Sequence, residues 1–157
     1  MINKCENITI KITGNKCETN RDYRDFKQIL IPSFITLKDS QCSNQSIASI
    51  SINAKVIHSN ILSTPSSFEI VNGENTKLSG YKVSIFGIIN EVIMYENINC
   101  IMKTFSTSIP FSTFIVLSND IDLSKEICID ICIEDVGVFN ITYENIFQSI
   151  YALVYVN

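Results

Sequence analysis

Two cysteines, Cys128 and Cys132, are the residues of this chain whose type and spacing most directly suggest chemistry. Isoleucine occupies every odd position from Ile127 to Ile133, while cysteine and acidic residues occupy the even positions. A period of two predicts a β-strand whose side chains alternate between two faces. The isoleucine face is therefore a core face, and the two thiols share the opposite, polar face.

The geometry of a strand limits what these two thiols can do. A strand rises about 3.3 Å per residue, so the two side chains would lie about 13 Å apart. A disulfide requires Cα atoms closer than about 7 Å. Cys128 and Cys132 therefore cannot pair with each other or share a metal ion while the strand is extended. We expect each to find a partner elsewhere, including on another molecule, which favours a cross-linked structural protein over an enzyme.

The chain contains six cysteines. We predict intermolecular disulfides from four of them: Cys5, Cys17, Cys128 and Cys132. Cys42 and Cys100 are weaker candidates, because a free cysteine packs well as a small buried hydrophobe and these two could equally be core residues. The connectivity of six cysteines does not follow from the sequence.

The sequence shows no catalytic set and no cofactor motif. Its one histidine, His58, lies on a predicted strand, and no neighbouring motif supports a Cys–His nucleophile. Phosphate-binding glycine loops and the dinucleotide fingerprint are absent. The spacing of Cys128 and Cys132 is one that zinc sites use, but an extended strand holds the two thiols too far apart to share a zinc ion. We expect a protein that is not an enzyme, with no catalytic residue, cofactor or metal ion.

Charge and composition exclude several classes of partner. The net charge is −4 and no basic run exists, which disfavours nucleic acid and anionic membranes. No apolar stretch approaches the roughly 18 residues of a membrane-spanning helix, so we expect no membrane insertion. The first residues lack the apolar region of a secretory signal, which predicts synthesis in a cytoplasm.

The periodicity predicts an all-β fold. Isoleucine alone supplies 29 of the 157 residues, and β-branched side chains favour strands. Residues 50–56 alternate between apolar and polar, whereas residues 81–96 and 146–156 are apolar on both faces. Long strands separated by short polar turns predict an antiparallel β-sandwich, and the second apolar face could be an interface between subunits.

The chain divides into an N-terminal arm, residues 1–19, and one domain, residues 20–157. Alternation from Ile8 to Ile12 predicts a short strand in the arm, with Cys5 and Cys17 on either side. This strand could pair with the sheet of its own domain or add to the open edge of a neighbour's sheet.

Five segments of the chain carry a family resemblance: Asp25–Ile29, Lys55–Ile57, Leu78–Val83, Ile109–Ile115 and Glu134–Val136. In this order they resemble the SPOCS domain of clostridial spore coat and exosporium proteins, over roughly residues 20–157. The Ile-Pro-Phe-Ser run that begins at Ile109 is the most distinctive of them.

The resemblance implies a non-enzymatic protein made in the mother-cell cytoplasm and deposited on the spore surface. Such a protein would be reduced during synthesis and oxidised after the mother cell lyses, which suits abundant cysteine. We expect a self-assembling structural protein of the coat, an exosporium lattice or an appendage fibre. Its partners would be copies of itself, joined by β-edges, the arm and intermolecular disulfides, and also other spore coat proteins.

Two alternatives remain open at this point. The first is a non-enzymatic adaptor that binds a spore-coat morphogenesis partner and keeps its cysteines reduced and buried. The second is a carbohydrate-binding β-sandwich, which the absence of tryptophan disfavours because an aromatic platform would have to come from Tyr and Phe.

Overall fold

The computed structural model describes residues 8–37, 46–66, 79–97, 99–140 and 145–157. These residues form seven strands: β1 (Thr9–Ile12), β2 (Phe26–Thr36), β3 (Ser46–Ser66), β4 (Ser79–Glu96), β5 (Met102–Val116), β6 (Ile129–Asn140) and β7 (Asn145–Val156). They contain no helix, and so none that is long and apolar enough to cross a membrane. The predicted all-β class is confirmed.

The strands form two sheets that pack face to face. One sheet has the order β1-β3-β4-β5, and the other has the order β2-β7-β6. Their isoleucine-rich faces point toward each other, so Ile50 and Ile89 from the first sheet share one buried core with Ile31 and Ile150 from the second. All pairings are antiparallel except that of β1 with β3, which is parallel.

Two prolines lie within strands rather than at their ends. Pro32 is in β2 and Pro110 is in β5, and both strands are edges of their sheets. Proline has no N–H to donate, so an edge strand tolerates it where that donor would face away from the sheet. A proline commonly ends a strand, but β5 continues through Pro110 because only its inner side must form hydrogen bonds.

The described part of the arm, residues 8–19, lies against its own domain and contacts both sheets. Thr13 donates from its N–H and its hydroxyl to the Ile52 carbonyl of β3, at 2.8 and 3.1 Å. Ile133 of β6 donates to the Asn15 carbonyl at 2.9 Å, and its own carbonyl accepts from Cys17 N–H at 3.2 Å. Of the two placements that the sequence allows, the structure therefore has the arm paired within its own chain.

Candidate functional site

A disulfide joins the arm to the domain. Cys17 and Cys132 are bonded to each other, with their Cα atoms 5.0 Å apart. The pairing of the arm with Ile133 places Cys17 beside the outer face of β6, which is the face that carries Cys132. The structure thus corrects the prediction that these two cysteines bond to other molecules. The inference that Cys128 and Cys132 do not pair with each other is confirmed.

Cys132 is buried rather than displayed. Its side chain is 2% exposed, and it forms a small second core with Leu153 and Tyr155 of β7, against which Cys17 and Tyr23 pack. Its polar neighbours in sequence suggest a solvent-facing thiol, but the arm crosses this face and excludes water from it. This cover explains why the apolar residues of β7 occupy both faces of the strand.

An aromatic cluster seals the outer side of this small core. Tyr23 and Tyr155 meet edge to face, with ring centroids 4.7 Å apart. The Arg21 guanidinium carbon lies 4.7 Å from the Tyr155 centroid and 5.4 Å from that of Tyr23, and Arg21 also donates to the Asn157 side-chain oxygen at 2.5 Å. Burial and, secondarily, the Asp130 charge raise the pKa of Tyr155. Sequence reasoning missed this cluster, for which the only signal was the presence of Arg21 and Tyr23 in the segment after Cys17.

A groove opens between the arm and the outer face of β2 and β7. Its volume is about 510 Å³, and its walls include both charged residues, such as Lys16 and Asp22, and apolar ones, such as Phe26 and Leu153. Phe26 is 52% exposed. A mixed lining of this kind suits an extended peptide or a small molecule with polar and apolar parts.

Cys100 is a free, exposed thiol in the turn between β4 and β5. Its backbone has a positive φ of 56°, and the turn is held by the Asn97 side-chain oxygen, which accepts from Asn99 N–H at 3.0 Å and Ile101 N–H at 3.1 Å. A hydrogen bond to Glu96 and the charge of that carboxylate raise the pKa of the Cys100 thiol. The alternative that Cys100 is a buried core residue is therefore wrong.

Cys128 is the second free, exposed thiol. It directly precedes β6, and its carbonyl accepts from Asn157 N–H at 2.9 Å. Two cysteines lie outside the described residues. They are Cys5, predicted to form an intermolecular disulfide, and Cys42, the weaker candidate. Cys100 and Cys128 are thus the free thiols of the part of the chain that the structure describes.

Both sheets carry exposed apolar side chains on their outer faces. On the three-stranded sheet, Phe34 is 62% exposed, and Leu30, on the same face of β2, pairs with the exposed Tyr151 of β7. On the four-stranded sheet, Val92 and Met94 follow one another along the outer side of β4. These residues account for the second apolar face seen in the sequence, and exposed patches of this kind commonly serve as protein contacts.

The structure places His58 on the outer face of β3, exposed and opposite Phe86 of β4. Within the described ranges, no three His, Cys, Asp or Glu side chains are grouped so that they could hold a metal ion.

Comparison with known proteins adds one finding. A family model described as SipL, SPOCS domain, matches residues 50–142, which is more than half of the chain. The match includes four of the five resembling segments and leaves out Asp25–Ile29 and the arm. No curated protein and no solved structure matches the chain.

Proposed function

Because the chain belongs to the SPOCS-domain family and so has a sporulation-related role, we propose that it is a structural protein of the spore surface. It is made in the mother-cell cytoplasm, deposited on the spore, and assembles there with copies of itself and with other coat proteins into coat, lattice or fibre. No catalysis is part of this proposal. The observation that carries it is the position of two free thiols at opposite ends of the β-sandwich.

Asp25 marks one end of the sandwich. Its carboxylate accepts from the Ser118 N–H at 3.0 Å and from the Ser118 hydroxyl at 2.7 Å, and its carbonyl accepts from Val156 N–H at 3.1 Å. The start of β2 and the ends of β5 and β7 therefore meet here. Cys128 lies at the same end, because its carbonyl accepts from Asn157, the residue after Val156.

Cys100 lies at the other end. It belongs to the turn that joins β4 to the start of β5, where Glu96 pairs with Met102. β5 has 15 residues. At about 3.3 Å per residue, the strand spans about 50 Å between this turn and Ser118. A bond from Cys128 of one molecule to Cys100 of the next would join them head to tail, and head-to-tail contacts that do not close into a ring produce filaments.

The bond forms by oxidation of two thiols to one disulfide, with loss of two protons and two electrons to an oxidant such as dioxygen. That oxidant becomes accessible when the reducing mother cell lyses. Glu96 raises the pKa of Cys100, so less of this thiol is the reactive thiolate near neutral pH. Disulfide formation at Cys100 should consequently be slower than at a thiol without a neighbouring carboxylate.

Non-covalent contacts would precede the covalent ones. β1 covers only residues 49–52 of the outer edge of β3, so the edge from Asn53 to Ser66 has no paired strand among those described. An open edge accepts a strand from another molecule, and the exposed apolar faces add area to such a contact. Cys17 bonds the arm to its own domain, so the contacts between subunits would come from the sheet edges and the free thiols.

Non-reducing electrophoresis and negative-stain microscopy test the linkage. The starting protein carries Cys5→Ser and Cys42→Ser, so that Cys100 and Cys128 are its free thiols. Under oxidation it should give a ladder of oligomers, which reductant collapses to a monomer. Adding Cys100→Ser or Cys128→Ser should give monomers if the bond joins unlike cysteines.

Each other outcome has a distinct meaning. Dimers from both single variants would indicate links between like cysteines and would overturn the head-to-tail geometry. The proposal of a cross-linked structural protein would be overturned if the protein stayed a monomer on the gel with either oxidant or reductant and formed no assemblies in the microscope.

The groove beside the arm favours a second candidate function, an adaptor that binds a spore-coat morphogenesis partner. Spore localisation of a fluorescent fusion separates the two functions. A structural polymer should lose stable localisation when Cys5, Cys42, Cys100 and Cys128 all become serine. An adaptor should keep it, and should instead lose it when Phe26→Ser removes the apolar wall of the groove.

A further inference from the structure

Two lysine side chains from different sheets lie over the ring of Phe114 on β5. The Lys27 ammonium, from β2, lies 3.9 Å from the ring centroid, and the Lys82 ammonium, from β4, lies 4.6 Å from it. The two nitrogens are therefore no farther apart than the sum of these distances. Cation–π attraction to the ring holds both lysine side chains in place.

The lysines and the ring line a cavity of about 420 Å³. Hydroxyl-bearing side chains complete much of the wall: Ser84, Ser112 and Thr113. Each described residue that lines the cavity is neutral or basic, although acidic residues outnumber basic ones in the whole chain by 16 to 12. The site is thus a local concentration of positive charge and hydrogen-bond donors in an acidic protein.

Among the described residues, neither ammonium group has a carboxylate partner. Neither Lys27 nor Lys82 forms an ion pair with another described residue, whereas the exposed Lys125 lies 3.6 Å from Asp122. Both lysines are half-buried, and like charges that line one cavity repel each other. A negatively charged ligand would relieve this repulsion and accept hydrogen bonds from both ammoniums and from the hydroxyls.

We infer that this cavity binds an oxyanion that carries two negative charges, such as a phosphate group or a dicarboxylate. The ammoniums supply the charge, the serine and threonine hydroxyls supply further donors, and Phe114 fixes the lysine positions. The inference is independent of the proposed function, because the site uses neither the free thiols nor the disulfide.

Isothermal titration calorimetry of the full chain tests this site with inorganic phosphate, with succinate and, as a monovalent control, with chloride. All titrations are run at one ionic strength, because salt screens exposed charges. The variants are Lys27→Gln, Lys82→Gln and Phe114→Leu. The matched control is Lys55→Gln, because Lys55 pairs with Ile88, six positions along β4 from Lys82 and about 20 Å away.

We expect saturable binding of one or both divalent anions and none of chloride. Each lysine variant should weaken the affinity about tenfold or more, since each removes a charge-assisted hydrogen bond. Phe114→Leu should weaken it less, and Lys55→Gln should leave it unchanged. Binding of phosphate alone, or of succinate alone, identifies the kind of oxyanion.

Two results would overturn the inference. One is the absence of saturable binding by both divalent anions. The other is an equal loss of affinity in Lys55→Gln and Lys27→Gln, which would indicate a general effect of net charge. Lys27→Arg and Lys82→Arg should fold and retain binding, so they keep the test valid if a glutamine variant is unstable.

Discussion

The ring of Phe111 on β5 lies on the backbone of Gly87, its partner residue on β4. Phe111 is 8% exposed, so this contact belongs to the core between the sheets. A Cβ at position 87 would overlap the ring and would also lie 2.8 Å from the carbonyl oxygen of Lys55 on β3. The absence of a side chain at Gly87 is what allows the aromatic ring to reach across the central strand.

Gly87→Ala should therefore destabilise the protein by about 1–3 kcal/mol, since the ring and the strand must both move. Urea unfolding measures the loss. Gly137→Ala is the control, because the nearest atom to a Cβ there would be a Phe139 ring carbon at 3.2 Å, a much milder approach than the overlap at Gly87. Equal losses in the two variants would contradict the packing argument.

The disulfide between Cys17 and Cys132 closes a loop of the chain with a sequence separation of 115. Replacing both cysteines by serine should lower the free energy of unfolding by roughly 2–5 kcal/mol, because a long loop in the unfolded chain regains its freedom. Reductant should lower the stability of the wild type similarly. Cys100→Ser with Cys128→Ser should change little, and a wild type insensitive to reductant would disprove the role of the bond.

Glu91 is a buried carboxyl that points into the core. It is 1% exposed, and neither of its carboxyl oxygens has a hydrogen-bond partner. Its neighbours across the two pairings, Ile52 and Thr107, are uncharged. Burial raises its pKa from 4.5 to about 7, so the folded protein holds a proton that the unfolded chain releases.

The contribution of Glu91 to the free energy of unfolding should consequently be full below pH 4.5, fall between pH 4.5 and about 7, and level off above that pH. The total loss from Glu91 should be about 3 kcal/mol. Glu91→Gln should remove this slope and be more stable than the wild type at pH 8, as urea unfolding at several pH values would show. Glu126→Gln, at an exposed position, is the control. If the slope persisted in Glu91→Gln, the pH dependence would not come from Glu91.

Asp25 joins the two sheets at one end and has a positive φ of 38°. Asp25→Ala should cost about 1–3 kcal/mol, since it removes both hydrogen bonds to Ser118 and leaves alanine in a left-handed conformation. Asp25→Asn should cost less, because asparagine tolerates this conformation and keeps one acceptor. Thermal melting compares both with Asp22→Ala, an exposed control, and an alanine variant as stable as this control would contradict the role.

The family and the strands could be predicted from the sequence, because both depend on local patterns. Alternation from Ile127 to Ile133 identifies the core face of β6, and Ile131 and Ile133 are indeed buried. In β4, the same period of two places Glu91 on the inward side of the strand, between Ile89 and Ile93. The pattern identifies the face, but whether a facing sheet buries that carboxyl without a partner is a property of the packed molecule.

The sequence by itself determined which side of β6 carries Cys132, since a period of two leaves only two faces. It did not determine the partner of this thiol, because a cysteine 115 residues away reaches it only by the path of the arm over the sheet. The convergence of Lys27 and Lys82 on Phe114 is likewise a tertiary feature, as the three residues come from strands of two sheets. Local periodicity encodes the direction of a side chain, and only packing decides which distant side chain it meets.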